Sequence, residues 1–237
     1  MVAIEPSGKI KTLNAMGYMF LRSDPALLAF LDHVEKTQGH FADIGTAFGH
    51  STLEALKRGG RITAIDLDQH HLDILAERCP LAHKPRLDAQ CGHFPNTISL
   101  PANTYDGILL SRVLIFLTQD EISTALSKIF EALKEGGAIY VVCPCPLRKK
   151  WKSLKPIYDK QKLNNEPWPG RVENLWDLMP EQKGSLPNTI QLIDADSLKK
   201  GLIRAGFKIE ACDYYPTSDT SVDEALSITY AIASRRP

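Results

Sequence analysis

Apolar positions in this chain gather into short continuous runs separated by segments of helical period, and that alternation predicts strands joined by crossover helices. Phe41 to Ile44, Arg61 to Asp66, Gly107 to Ser111 and Ala138 to Cys143 read as strands, with a weaker one between Arg86 and Cys91. Between them, Leu53 and Leu56, then Leu72, Leu75 and Ala76, then Ile122, Leu126, Ile129, Phe130 and Leu133 each hold one helix face. The first of these helices is expected to start near Ser51, and Pro80 to stop the second. Thr118 and Glu121 have the spacing of a capping box for the third, which Gly136-Gly137 should end. A further helix around Ala26 to Val34 precedes the first strand. From Pro144 to Leu192 the alternation breaks: the segment is rich in Pro, Asn and charge and contains Trp151, Trp168 and Trp176, so it reads as an insertion folded over the sheet edge. Regular order resumes with a helix carrying Leu198, Leu202 and Ala205, closed by Gly206, then strands near Phe207 to Cys212 and Ser227 to Ser234.

Summed, the pattern predicts an α/β fold: a doubly wound, mostly parallel sheet of about seven strands, helices on both faces, and a helical or irregular insertion after the fifth strand. The 237 residues, 43% of them apolar, suit one domain. Within it, residues 1–38 are expected to form a helical lid, 39–143 a cofactor-binding half, 144–192 a substrate lid, and 193–237 the closing helix and strands.

Composition then narrows the partners. Lys+Arg and Asp+Glu both number 28, so no net field attracts a polyanion or an anionic membrane, which argues against nucleic acid. Met1 to Lys9 has no signal-peptide core and no later run is apolar enough to span a bilayer, so the expectation is a cytoplasmic protein without a membrane partner; a homodimer is left open. Five cysteines, Cys79, Cys91, Cys143, Cys145 and Cys212, are odd in number and lack a CxxC pair, which favours free thiols over disulfides or a metal site.

The chemistry concentrates in the first strand-loop-helix turn. Gly45 and Gly49 bare the backbone at a strand's C-terminal end, where ligands of such sheets bind, and Asp66 follows at the end of the second strand, where an acid can accept from ribose hydroxyls. An adenosine-containing ligand is implied. Ala47 and His50 stand where a dinucleotide fingerprint would place glycines, which disfavours NAD and FAD, and no phosphate loop is present.

Asp43-Ile44-Gly45-Thr46-Ala47-Phe48-Gly49 resembles the D-x-G-x-x-x-G first motif of class I S-adenosylmethionine-dependent methyltransferases. Ala64-Ile65-Asp66-Leu67-Asp68, Tyr105-Asp106-Gly107-Ile108-Leu109, Leu133-Lys134-Glu135-Gly136-Gly137 and Ala205-Gly206-Phe207 are similar to later stations of that family. The resemblance implies S-adenosyl-L-methionine as cofactor, with S-adenosyl-L-homocysteine as product. Asp43 and the Gly45 backbone would receive its methionine part, Asp66 its ribose, and Thr46, Ala47, Gly49, Leu67 and Ser111 would complete the site. Either His93 or Asp88 would face the adenine. After the fourth strand, Ser111-Arg112-Val113-Leu114 replaces the [D/N]-P-P-[Y/F/W] of exocyclic-amine methylation, and the metal-binding acids of catechol-type relatives are missing, so no magnesium is expected.

The function so implied is O-, N- or C-methylation of a small molecule by in-line transfer, needing no covalent nucleophile. His50 and Arg112 are the candidates for catalytic or substrate contact. Tyr18, Trp151, Tyr158, Trp168 and Trp176, with Met179, are expected to form an apolar lid above the methyl group. The cluster Arg148, Lys149, Lys150, Lys152 and Lys155 supports an alternative, methylation of a protein or RNA, and a non-catalytic cofactor-binding module is a third reading. His70 and His71, beside Asp73, read as a solvated helix face.

Overall fold

A computed structural model describes residues 8–21, 23–216 and 228–236. A hairpin, β1 (Lys9–Lys11) and β2 (Tyr18–Phe20), precedes α1 (Pro25–Thr37). Then come β3 (His40–Ile44), α2 (His50–Lys57), β4 (Arg61–Asp66), α3 (Gln69–Arg78), β5 (Leu87–Cys91), β6 (Tyr105–Ser111), α4 (Gln119–Ala132) and β7 (Leu133–Pro144). The insertion holds α5 (Lys155–Leu163), β8 (Arg171–Val172), α6 (Leu175–Leu178) and β9 (Ile190–Gln191), and the chain closes with α7 (Ala195–Arg204), β10 (Lys208–Tyr215) and β11 (Ile228–Ser234).

Seven strands form one sheet in the order β10-β11-β7-β6-β3-β4-β5. β3 to β7 pair in parallel, and β11 runs antiparallel to both its neighbours. The expected doubly wound, mostly parallel sheet is therefore present. Successive central strands build outward from β3 on one side and from β6 on the other, so the topological switch point lies between their C-terminal ends.

Both faces of the sheet are dry. Phe41, Leu109, Tyr140 and Val142 face α1 and α2, whereas Ile44, Ile108, Leu110, Ile139 and Val141 face α4 and α7. Odd and even residues of the same strand thus enter different cores, which is why these strands read as continuous apolar runs. Thr118 and Glu121 form the expected capping box: the Glu121 N–H donates to Thr118 Oγ1 at 3.2 Å and the Thr118 N–H to Glu121 Oε2 at 2.8 Å.

Four local expectations differ from the structure. The N-terminal segment is a hairpin followed by a helix instead of helical throughout, because Ile10 and Met19 pair across the hairpin with their side chains buried. α2 begins at His50 with Gly49 at its N-cap, one residue before Ser51. α4 stops at Ala132, before Gly136-Gly137, since Leu133 already pairs with Tyr105. His71 is buried, 1% exposed, while its neighbour His70 is solvated. Residues 1–7, part of the expected lid, and Ser227, the expected start of the last strand, lie outside the described residues. No helix of the described residues is long and apolar enough to cross a membrane.

Candidate functional site

A cavity of about 520 Å³ opens at the switch point, above the C-terminal ends of the strands. The β3–α2 turn contributes Asp43, Gly45, Thr46 and Ala47, the end of β4 contributes Asp66 and Leu67, the segment after β5 contributes His93, and the end of β6 contributes Ser111 and Arg112. The turn is tied back onto β4, for the Gly45 and Thr46 N–H groups both donate to the Ile65 carbonyl, at 2.8 and 3.1 Å. Gly45 has φ +76° and a Cβ there would lie 2.3 Å from Val113 Cγ2, so only glycine fits.

Asp66 is 6% exposed and held from three sides. The Ala47 N–H donates to its Oδ2 at 2.8 Å, while Oδ1 accepts from the Asp68 N–H at 3.0 Å and from His71 Nδ1 at 3.0 Å. His71 Nε2 in turn accepts the Leu13 N–H at 3.1 Å, which places the imidazole proton on Nδ1. A carboxylate oriented in this way by the loop, its own helix and the N-terminal hairpin segment presents its remaining lone pairs to a ligand hydroxyl. His71 was not legible as a site residue, because its role depends on Leu13, which lies 58 positions away in the chain.

Asp43 is the second buried acid, 2% exposed. Thr52 Oγ1 donates to its Oδ2 at 2.8 Å, and Thr46 Oγ1 lies 2.8 Å from that of Thr52, extending the chain to the cavity. Burial pushes the Asp43 pKa up to about 6 against the opposing pull of the threonine hydroxyls. An acid in this state gains from a cation placed beside it.

Arg112, at the end of β6, adds to the wall: it sits at φ +61°, an uncommon conformation for a non-glycine residue, with its guanidinium 4.2 Å from the centre of the Phe20 ring. The wall is closed by two segments remote in sequence: the Gly17 N–H donates to the Ser185 carbonyl at 2.8 Å, and Tyr18 Oη lies 3.4 Å from Ser185 Oγ. Ile115, Trp151 and Leu186 of one apolar cluster continue it.

The cavity thus gathers Asp43, Gly45, Thr46, Ala47, Asp66, Leu67, His93 and Ser111 of the expected cofactor set, together with Tyr18, Trp151 and Arg112. Other expected residues lie elsewhere. Gly49 packs on α3, where a Cβ would meet Leu75 Cδ1 at 2.2 Å. Asp88 is exposed on edge strand β5 and accepts from Gln90 Nε2 at 2.7 Å. His50 lines a separate crevice with Glu54 and Arg78, and burial pulls its pKa below the usual imidazole value. Tyr158 donates to Asp194 Oδ2 at 2.8 Å beneath the insertion, and Trp176 Nε1 donates to the Leu186 carbonyl at 2.9 Å. Trp168 belongs to the main core, where it packs so tightly on α7 that a Cβ at Gly201 would lie 2.1 Å from its Cη2. Trp168 and Tyr158 thus tie the insertion to the main core and to the cap of α7, whereas Trp176 packs within the insertion itself. The basic cluster divides, with Arg148 and Lys150 on the cavity wall and Lys155 on the surface beside Asp159.

Residues 41–137 match a family model described as a methyltransferase domain. No curated protein matches the sequence. Among solved structures, the chain is similar to an S-adenosylmethionine-dependent methyltransferase from Mesorhizobium loti (17% identity, 89% of this chain and 96% of that one, TM-score 0.65). It is also similar to a putative S-adenosylmethionine-dependent methyltransferase from Listeria monocytogenes (14% identity, 90% and 99% covered, TM-score 0.66). A third likeness is to 1,6-didemethyltoxoflavin-N1-methyltransferase from Burkholderia thailandensis, whose structure holds 1,6-didemethyltoxoflavin and S-adenosylhomocysteine (17% identity, 92% and 78% covered, TM-score 0.64). The sheet order and the Gly45 turn agree with the methyltransferase-domain match over residues 41–137 and with the fold shared by these solved structures.

Proposed function

We propose that this methyltransferase acts on a small-molecule acceptor held between the cofactor wall and the hairpin-insertion wall. The observation that carries the reading is the shape of the cavity: about 520 Å³, bounded on one side by Asp43 and Asp66 and on the other by Phe20, Ile115 and Trp151, with the hairpin fastened to the insertion across it. A cavity of this size with an apolar part to its lining suits a compact molecule. The similar Burkholderia structure, which holds 1,6-didemethyltoxoflavin and S-adenosylhomocysteine, supports the same reading. In it, residues 39–143 bind the cofactor and residues 144–192, with the hairpin, cover the acceptor.

The donor set fits the cofactor. Asp43, buried and short of a cation, suits the methionine ammonium, the Gly45 turn suits the adjacent backbone-lined carbons, and Asp66 suits the ribose hydroxyls. When bound, S-adenosylmethionine supplies a methyl group already activated on a sulfonium. The protein's work is then to orient an acceptor in line with that group and keep water away, and positioning of this kind is worth roughly 7 to 11 kcal/mol. The apolar wall of Phe20, Ile115 and Trp151 excludes water, and no side chain needs to form a covalent bond.

The test is a thermal-shift titration with S-adenosylhomocysteine and, separately, NAD, on the wild type and on Asp66→Ala. At 100 times Kd the product should stabilise the wild type by about 2.7 kcal/mol. Asp66→Ala should weaken that binding by about 30-fold, the loss of a charge-assisted hydrogen bond of roughly 2 kcal/mol, and NAD should give no shift. A shift with NAD alone would overturn the cofactor assignment. Acceptor preference is then read from methyl transfer to small-molecule and polymer pools, and transfer to polymer alone would overturn the small-molecule reading.

A further inference from the structure

Once Asp43 and Asp66 are given to the cofactor, Asp24 is the remaining acid among the described lining residues, and Arg112 faces it across 3.8 Å. Asp24 is partly committed: its Oδ1 accepts the Leu27 N–H at 2.9 Å as the cap of α1. Its Oδ2 is 3.8 Å from Arg112 Nη1, within reach of charge attraction but too far for a hydrogen bond.

Arg112 is the centre of this arrangement. Its side chain is 19% exposed, and its Nη1 contact with Ser111 Oγ is 3.4 Å, at the long end of the range. Burial opposes its charge, Asp24 supports it, and Arg148 opposes it again. The backbone holds φ +61° and the Phe20 ring braces the guanidinium from one face, so the fork is held in orientation, and among the described residues its polar contacts are the long ones to Ser111 Oγ and Asp24 Oδ2. A planar, pre-oriented fork of this kind matches a carboxylate in two parallel hydrogen bonds. Trp151 also lines the cavity and is 2% exposed.

Building on the methyltransferase reading, we propose that the methyl acceptor is a small carboxylate with an apolar or aromatic body: the carboxylate docks on the Arg112 fork, and the body lies against Phe20, Phe116 and Trp151. Arg112 is then the residue that sets substrate class. The acid is recognised as an anion, and its neutral amide is refused because the amide nitrogen brings a donor against the guanidinium donors.

The experiment uses the full chain saturated with S-adenosylhomocysteine and a probe set of benzoate, cinnamate and indole-3-acetate, each paired with its primary amide, read by thermal shift and calorimetry. Wild type should bind at least one acid more than about 10-fold tighter than its amide, the scale of a charged hydrogen bond. Arg112→Met should abolish that preference and keep S-adenosylhomocysteine affinity within about threefold, which also shows that the variant is folded; Arg112→Lys, which keeps the charge and loses the fork, should fall between them. Acids and amides binding equally, or no acid binding to the loaded protein, overturns the proposal. So does a large loss of S-adenosylhomocysteine affinity in Arg112→Met, which would assign the guanidinium to the cofactor's own carboxylate. Failure of the wild type to bind S-adenosylhomocysteine at all is a separate result, and it strikes the cofactor reading instead.

Discussion

The two walls of the cavity are built on different scales of the chain. On the cofactor wall, Thr52 reaches Asp43 across 9 positions and Ala47 reaches Asp66 across 19, so a strand, a turn and the next strand assemble the site between them. On the opposite wall the hairpin meets the insertion through Tyr18 and Ser185, 167 positions apart. The first wall follows from a compact motif with one backbone solution, whereas the second depends on how two distant segments happen to pack. The same contrast separates the tryptophans: Trp151 borders the cavity, and Trp168 is a core residue that pins the insertion onto α7.

The largest expected effect tests that division. Trp168→Ala should cost about 3 to 5 kcal/mol of stability by denaturant unfolding, from the cavity left against Gly201 and the main core. S-adenosylhomocysteine affinity, measured below the transition, should change little; a large loss of affinity with intact stability would place Trp168 in the site and dissolve the distinction.

A pH effect belongs to the cofactor wall alone. The folded-state pKa of Asp43 is raised from 3.8 to about 6, so the folded protein holds a proton that the unfolded chain releases. The associated stability is present below about pH 4 and is lost as the pH rises to about 6, by up to roughly 3 kcal/mol. Asp43→Asn should flatten this part of the stability profile in the ligand-free protein. Binding should run the other way: a ligand ammonium favours the ionised acid, so S-adenosylhomocysteine affinity should fall as the pH drops through 6. An affinity profile that stays flat from pH 5 to 7 would argue against an ammonium beside Asp43.

The smallest effect probes a hydrogen-bonded path from the hairpin to Asp66, from Leu13 through His71. His71→Phe should weaken S-adenosylhomocysteine binding by about 10-fold, the scale of one lost hydrogen bond to a charged group. Leu13→Pro removes the N–H donor to His71 and leaves Asp66 and His71 in place, and since Leu13 is 57% exposed it should weaken binding by only a few-fold on that scale. Unchanged calorimetric affinity in both variants would mean that the hairpin and Asp66 act independently.

The sequence by itself determined the sheet, its parallel core, the α4 capping box and the glycine turn after β3, because each is specified by residues close together in the chain: a period, a cap, a glycine where a Cβ would strike Val113. Tertiary structure alone decided which residues of the far wall face the cavity. Aromatic content marked the insertion as important, yet a ring fills a core as readily as it lines a pocket, and packing placed Tyr158, Trp168 and Trp176 away from the cavity while leaving Trp151 on its lining. His71 became a support for Asp66 in the same way. One position on a helix chooses between water and a buried acid according to what packs over it, and here that is a hairpin whose contact with the helix no local pattern encodes.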